Sequence, residues 1–162
     1  MKKIIFLLVV IMGIYSTAMA AGSCSFTFDP ILSKIRNTTD MLYIKAEFTA
    51  DAADASFPDT DIPIDLHGWY VFKIVITNGA TGPTDDSDFY IRDGRDGVKS
   101  ANDKDMLNGD GENQVDNSAT NDIGLSRYHP INGPVYMDID NNAVNGAETT
   151  VEITLVRQTT YR

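Results

Sequence analysis

The residues with the clearest chemical potential are carboxylates at and within a long polar segment, residues 94–122, that is rich in Asp, Asn and Gly. Asp93 and Asp96 lie at its start, and Asp103 and Asp105 follow at alternate positions. Oxygen ligands at alternate positions are typical of calcium loops. The favoured interpretation is that these acidic residues are solvated turn caps, which is their commoner role, so that no cofactor is expected. The alternative is an irregular calcium site formed between loops.

An EF-hand is excluded by the register of the ligands. In a loop that starts at Asp103, Asn108 takes the position of the invariant glycine, and Gln114 takes the position of the bidentate glutamate. A loop that starts at Asn108 has Ala119 at the twelfth position. Any calcium site would therefore have to collect oxygen atoms from several loops.

The sequence contains few residues in a spacing that indicates a catalytic site. His67 and His129 are the only histidines, and they are far apart in sequence. The chain has neither a Gly-x-Ser-x-Gly nucleophile elbow nor a His-rich metal-binding spacing. Paired carboxylates could hydrolyse a glycoside, but a chain with 23 acidic residues brings such pairs together by chance. The sequence therefore favours a protein that is not an enzyme.

A second candidate site is a platform of aromatic side chains that would stack on sugar rings. Trp69, Tyr90 and Tyr136 occupy strand positions predicted to point away from the core. Carbohydrate-binding β-sandwiches use such platforms. Aromatic side chains also pack across strands on an exposed face without binding a ligand, so that interpretation stays open.

The elements that carry these residues are predicted from a period of two in the apolar residues. Five runs alternate strictly between an apolar and a mixed face, which is typical of half-buried strands in antiparallel sheets. Asn-Gly pairs supply tight turns between the runs. Because one-sided sheets need a second layer, the sequence predicts an all-β fold. The expected form is a single antiparallel β-sandwich, jelly-roll-like or Ig-like, with the long polar loop described above.

The same alternation predicts which side chains share the core. Fourteen apolar residues fall on the predicted inner faces: Leu42, Ile44, Phe48, Tyr70, Phe72, Ile74, Phe89, Ile91, Val135, Met137, Ile139, Val151, Ile153 and Leu155.

Residues 1–20 have the layout of a bacterial-type secretory signal peptide. Lys2 and Lys3 precede an apolar stretch at residues 4–14, and small residues form an Ala-x-Ala cleavage signal before Ala21. The apolar stretch is too short to span a membrane. The sequence therefore predicts an exported protein, periplasmic or extracellular. Its predicted organisation is an N-terminal segment with the first strand at residues 21–40 and a β-sandwich domain at residues 41–162.

The single cysteine offers an alternative interpretation of the leader. Cys24 follows small residues, as a lipidated cysteine does, and a lipid would anchor the protein on a membrane surface. The apolar stretch ends well before Cys24, whereas lipoprotein leaders bring it close, so cleavage after Ala20 is favoured. With one cysteine, neither an intrachain disulfide nor a thiolate metal cluster can form.

The charge of the chain limits its partners. Removal of Lys2 and Lys3 with the leader leaves 11 basic against 23 acidic residues, a net charge of −12. Nucleic-acid binding needs a basic surface, so this charge argues against it. It suits solubility outside the cell and permits cation binding.

From about residue 46 to residue 155, the order of motifs resembles a family of small β-rich proteins found among phage and prophage structural genes. The most specific piece is Gly79-Ala-Thr-Gly-Pro-Thr-Asp85, and further pieces lie at residues 49–56, 68–70, 93–97, 132–135 and 141–147. The resemblance implies a structural or assembly role without enzymatic activity. It implies no catalytic or ligand-binding residues.

Together these patterns predict a secreted, non-enzymatic structural or adhesive protein that acts through its surface. The expected partner is an extracellular protein, an assembly component or a second copy of the chain, without nucleic acid and without a membrane span. The alternative is a calcium-assisted carbohydrate-binding module, with calcium as the only candidate cofactor. Such a module would present Trp69, Tyr90 and Tyr136 as one exposed, coplanar set, whereas a structural module would bury or scatter them.

Overall fold

The computed structural model describes residues 21–29, 39–94, 98–100, 102–115 and 120–158. The described residues form nine β-strands and no helix. The strands are β1 (Ser23–Asp29), β2 (Thr39–Thr49), β3 (Thr60–Asp61), β4 (Trp69–Asn78), β5 (Asp88–Asp93), β6 (Thr120–Ile123), β7 (His129–Ile131), β8 (Val135–Asp140) and β9 (Glu148–Gln158).

The strands form two antiparallel sheets, and the predicted all-β fold is confirmed. The larger sheet has the order β1-β2-β9-β4-β6, and β7 also pairs with β4. The smaller sheet has the order β3-β8-β5. Buried apolar side chains from both sheets belong to one core, so the two sheets form the layers of a sandwich.

The described strand of the N-terminal segment, β1, belongs to the larger sheet. All of β1 pairs with β2, from Ser23 opposite Thr49 to Asp29 opposite Tyr43. Among the described residues, no helix is long and apolar enough to cross a membrane.

Alternation predicted the core correctly at twelve of the fourteen positions. The two exceptions are on β4, where Tyr70 is 41% exposed and Phe72 is 44% exposed. The cause is a β-bulge: Val71 pairs with Leu155 and Lys73 with Thr154, which leaves Phe72 as an extra residue. An extra residue reverses the faces of all residues that precede it. Val71 is therefore buried in place of Tyr70.

This bulge predicts that two neighbouring truncations on β4 have different costs. Phe72→Ala should lower the free energy of unfolding by only about 0.5–1.5 kcal/mol, because an exposed aromatic contact is lost without a cavity. Ile74→Ala should cost about 2–5 kcal/mol, because Ile74 is fully buried. Urea denaturation of both variants measures the difference. Equal costs would mean that Phe72 belongs to the core after all.

Part of the polar segment is folded against the smaller sheet. Met106 donates its backbone N–H to the carbonyl of Ile91 at 2.7 Å, and Phe89 donates to the carbonyl of Gly111 at 2.9 Å. Leu107 is buried in the core. Residues 105–115 thus cover the outer edge of β5 and contribute to the packing.

Candidate functional site

An exposed pair of aromatic rings lies at one end of the larger sheet. The rings of Phe72 and Tyr128 are stacked, with centroids 5.7 Å apart and planes inclined by 27°. The bulge in β4 leaves Phe72 exposed, and pairing of Val71 with His129 brings the segment before β7 alongside. Tyr128 is 61% exposed. We call Phe72 and Tyr128 the aromatic pair.

A cavity of about 270 Å³ adjoins the aromatic pair. It lies between residues 104–108 and residues 127–132, and its lining includes Lys104, Asn108, Arg127, Tyr128 and Asn132. Because Tyr128 belongs to both features, the pair and the cavity form one continuous surface. We call it the aromatic–cationic surface.

The two cations of this surface differ from the other described lysines and arginines. Every other one forms an ion pair with a carboxylate: Lys45 with Glu47, Lys73 with Asp122, Arg92 with Asp138 and Asp140, Lys99 with Asp61, and Arg157 with Asp40. Lys104 and Arg127 have no carboxylate within 4.0 Å among the described residues. Asp105, which caps its own turn, also lines the cavity. The lining therefore carries two cations against one carboxylate and is net positive on an acidic protein.

A hydrogen bond between His129 and Asp110 holds the segment that carries Arg127 and Tyr128. His129 Nε2 lies 2.6 Å from Asp110 Oδ2, and the same oxygen accepts the N–H and the hydroxyl of Ser126 at 2.8 and 2.9 Å. Burial opposes ionisation of Asp110, but the hydrogen bonds from Ser126 and His129 outweigh it and lower the pKa of the carboxyl. The carboxylate stands between the serine and the histidine, so the imidazole is not placed to activate the hydroxyl. The arrangement is structural.

A second polar network lies on the outer face of the smaller sheet. Arg92 is 5% exposed; its Nε donates to Asp138 at 2.6 Å and its Nη2 to Asp140 at 2.9 Å. Its guanidinium lies 3.8 Å from the centre of the Tyr90 ring. Burial raises the pKa of Asp138 and of Asp140. The nearby carboxylate of Asp59 raises the pKa of Asp138 further, and the carboxylate of Asp138 raises that of Asp140 further. Arg92 opposes both shifts without cancelling them.

The predicted calcium ligands lie at the end of β5 and in the loop that follows, with Asp96 outside the described residues. Asp105 accepts the backbone N–H groups of Leu107 and Gly109, at 2.8 and 2.7 Å. This carboxylate therefore caps its own turn. Within the described ranges, no group of three or more Asp, Glu, His or Cys side chains is arranged to hold a metal ion.

Asp103 has a different local role. Its Oδ2 accepts the N–H of Ser100 at 2.9 Å and the hydroxyl of Tyr136 at 2.7 Å. These bonds fasten the loop to β8. Asp93 ends β5, and its backbone N–H donates to the carbonyl of Lys104 at 3.0 Å.

The predicted aromatic platform is not assembled. Tyr136 is fully buried, because the loop around Ser100 covers it and hydrogen-bonds its hydroxyl. Tyr90 lies on the smaller sheet beneath Arg92. Trp69 lies on the larger sheet, packs against the core, and has the Arg157 guanidinium 4.7 Å from its ring centre. The three residues are therefore scattered and do not form the exposed, coplanar set that a carbohydrate-binding module would present with them.

The aromatic–cationic surface was missed by sequence reasoning. One signal was present: residues 69–72 are four consecutive bulky side chains, which strict alternation cannot assign to two faces. For Lys104 and Arg127 no local pattern exists, since they are 23 residues apart and meet only in the fold.

No protein-family model matches the chain, and neither curated proteins nor solved structures give a match. The architecture therefore defines the class, an antiparallel two-layer β protein, and the resemblance to phage structural proteins stays a prediction.

Proposed function

We propose that this protein is an exported, non-enzymatic adhesive protein that binds an anionic partner through the aromatic–cationic surface. The observation that carries the proposal is the meeting of the two unpaired cations, Lys104 and Arg127, with the exposed Tyr128 at one cavity. This site is chemically unlike the rest of the acidic surface that the structure describes.

The charge distribution supports an anionic partner of limited contact area. A negatively charged partner is repelled by most of the acidic protein and attracted only where cations are unpaired, which orients the encounter. Aromatic and arginine side chains are also the types that contribute most to binding energy at interfaces. Phe72, Tyr128 and Arg127 supply both types.

An acidic polysaccharide is the second candidate, favoured by the aromatic pair. The exposed rings of Phe72 and Tyr128 offer an apolar surface to a sugar ring, while the adjacent cations would hold its carboxylate or sulfate. This version of a carbohydrate-binding function uses other residues than Trp69, Tyr90 and Tyr136. Calcium would act here only by bridging the ligand to the loop carboxylates.

Binding measurements on the purified protein test the proposal. Isothermal titration with polygalacturonate, with polyglutamate and with neutral dextran should give binding to at least one acidic polymer and none to dextran. The double variant K104Q/R127Q should weaken that binding about tenfold or more, since each charge-assisted contact contributes about 1.5–3 kcal/mol. The matched control K45Q/K99Q removes two paired cations outside this surface and should change affinity less than about threefold.

The outcomes separate the two candidates. Preference for polygalacturonate and a large loss in Y128A indicate the carbohydrate, and preference for polyglutamate indicates an acidic protein. Repeating the titration with calcium and with chelator shows whether a metal bridge contributes. Equal binding by wild type and K104Q/R127Q, or no binding to any acidic polymer, contradicts the proposed surface.

Export is tested separately by N-terminal sequencing. The protein recovered from the periplasm or medium of an expressing bacterium should begin at Ala21. An acylated N-terminus at Cys24 would instead establish the lipid-anchored form, and Cys24→Ser would then release the protein from the membrane. A protein that stays in the cytoplasm with residues 1–20 still attached would contradict export.

A further inference from the structure

In the part of the chain that the structure describes, the first strand forms a long open edge of the larger sheet. β1 (Ser23–Asp29) pairs with β2 along all seven residues, and no described strand pairs with its other side. An unpaired edge presents a row of backbone donors and acceptors to any other extended chain.

The other described edges are short, charged or covered. β3 has two residues, β7 has three and contains Pro130, and β6 has four and contains Asp122. The edge of β5 is covered by bridges from Val115 to Ser87 and from Asp105 to Arg92. These are the usual protections of sheet edges against pairing with other molecules.

β1 has none of these protections. Its sequence, SCSFTFD, contains no lysine, proline or glycine, its pairing with β2 has no bulge, and its one charge is Asp29 at the end. Cys24, Phe26 and Phe28 pack against the core but stay only partly buried, and the two phenylalanine rings stack 5.8 Å apart. The apolar side chains of the core layer thus extend to β1, where no described residue covers them fully.

We propose that β1 pairs antiparallel with β1 of a second copy of this chain, about a two-fold axis at Phe26. This axis passes through the middle residue, so all seven residues of each strand are paired. Antiparallel pairing about a two-fold axis perpendicular to the sheet places the core-facing sides of both β1 strands on the same side of the joined sheet. Each Phe28 then lies opposite Cys24 of the other copy. The larger sheets become one continuous sheet.

The charges of the strand itself are compatible with a second copy as the occupant, and they give a highly charged segment little to pair with. In this register each Asp29 lies opposite Ser23 of the other strand, and the two carboxylates stand about 20 Å apart at opposite ends. No like charges meet on the strands, and Asp29 at the end of β1 is the one charged side chain that a partner strand would face. The acidic remainder of the two molecules repels, so salt should strengthen the dimer by screening.

The register also excludes a disulfide as the link. The two Cys24 residues would lie about 14 Å apart, beyond the Cα separation of about 7 Å that a disulfide can bridge. Burial, moreover, raises the pKa of the Cys24 thiol to about 11, which leaves it protonated and unreactive at neutral pH. The dimer should therefore persist in reducing agent.

Analytical ultracentrifugation of the processed protein, with and without reducing agent, tests the pairing. Positions 25 and 27 are exposed and lie opposite each other across the proposed axis. The variant S25K/T27K therefore juxtaposes four lysines and should be monomeric, as should S25E/T27E. An equimolar mixture of the two variants should form a dimer again, because each lysine then faces a glutamate.

Controls make the result decisive. A80K/T81K adds the same charge at exposed positions away from β1 and should dimerise like wild type. Cooperative thermal unfolding of the β1 variants, near the wild-type transition at a concentration where wild type is monomeric, shows that they remain folded. A wild type that stays monomeric at about 100 μM in 0.5 M salt, S25K/T27K that dimerises like wild type, or a mixture that stays monomeric overturns the proposal.

Discussion

Replacing Arg92 by methionine should lower the free energy of unfolding at pH 7 by about 3–5 kcal/mol. Arg92 is the buried cation between Asp138 and Asp140, with Nε–Oδ2 and Nη2–Oδ2 distances of 2.6 and 2.9 Å. Removing it leaves the buried Asp138 carboxyl to be either ionised without a partner or protonated, and both cost free energy. Urea denaturation at pH 7 measures the loss.

The pH dependence of that loss identifies its cause. Burial raises the pKa of Asp138 and of Asp140 in the folded protein, so the folded state binds their protons more tightly than the unfolded state. Their contribution to stability is therefore full below the ordinary pKa of about 4 and is lost as the pH rises through the raised values. Without Arg92 the pKa of Asp138 rises further, so R92M should recover part of its stability at pH 5.

Two variants serve as controls. R92M/D138N removes the stranded carboxylate and should regain a large part of the loss at pH 7. R157M removes the exposed ion pair with Asp40 and the contact of the guanidinium with Trp69, and should cost no more than about 1–2 kcal/mol. If R92M loses no more unfolding free energy than R157M, or if its loss is the same at pH 5 and pH 7, the ion pairs of Arg92 do not stabilise the fold as described.

Replacing Gly111 by alanine is expected to cost about 1–3 kcal/mol or more and to loosen residues 105–115. A Cβ at this position would overlap the carbonyl oxygen of Phe89, a backbone atom that cannot rotate away. Relief of the overlap requires the loop to move off β5, which breaks the Phe89–Gly111 hydrogen bond. Hydrogen exchange at the Phe89 amide, together with urea denaturation, measures both effects.

Gly124 offers the matched control. A Cβ built on Gly124 meets no atom within 4 Å, so Gly124→Ala should be neutral within about 0.5 kcal/mol. If Gly111→Ala is equally neutral and the Phe89 amide stays protected, the loop is not held against β5 as described.

The sequence alone determined the class of fold and most of the core. Period-two alternation is a local property, because successive side chains of any strand point to opposite faces. A strand such as β9, with Val151, Ile153 and Leu155 on one face, therefore reveals its buried side without knowledge of its neighbours. The same local rule failed at the bulge in β4, where the pairing with β9 decides which residue is extra.

The surface that carries the proposed function was decided by tertiary structure alone. Tyr136 occupies an outward strand position and is nevertheless buried, because a distant loop folds over it. Lys104 and Arg127 meet only because residues 104–108 are hydrogen-bonded to β5 while β7 pairs with β4. The face to which a strand residue points follows from the backbone period of its own segment. Whether a loop covers that residue, and which distant side chains meet it, depends on long-range contacts that no local sequence pattern predicts.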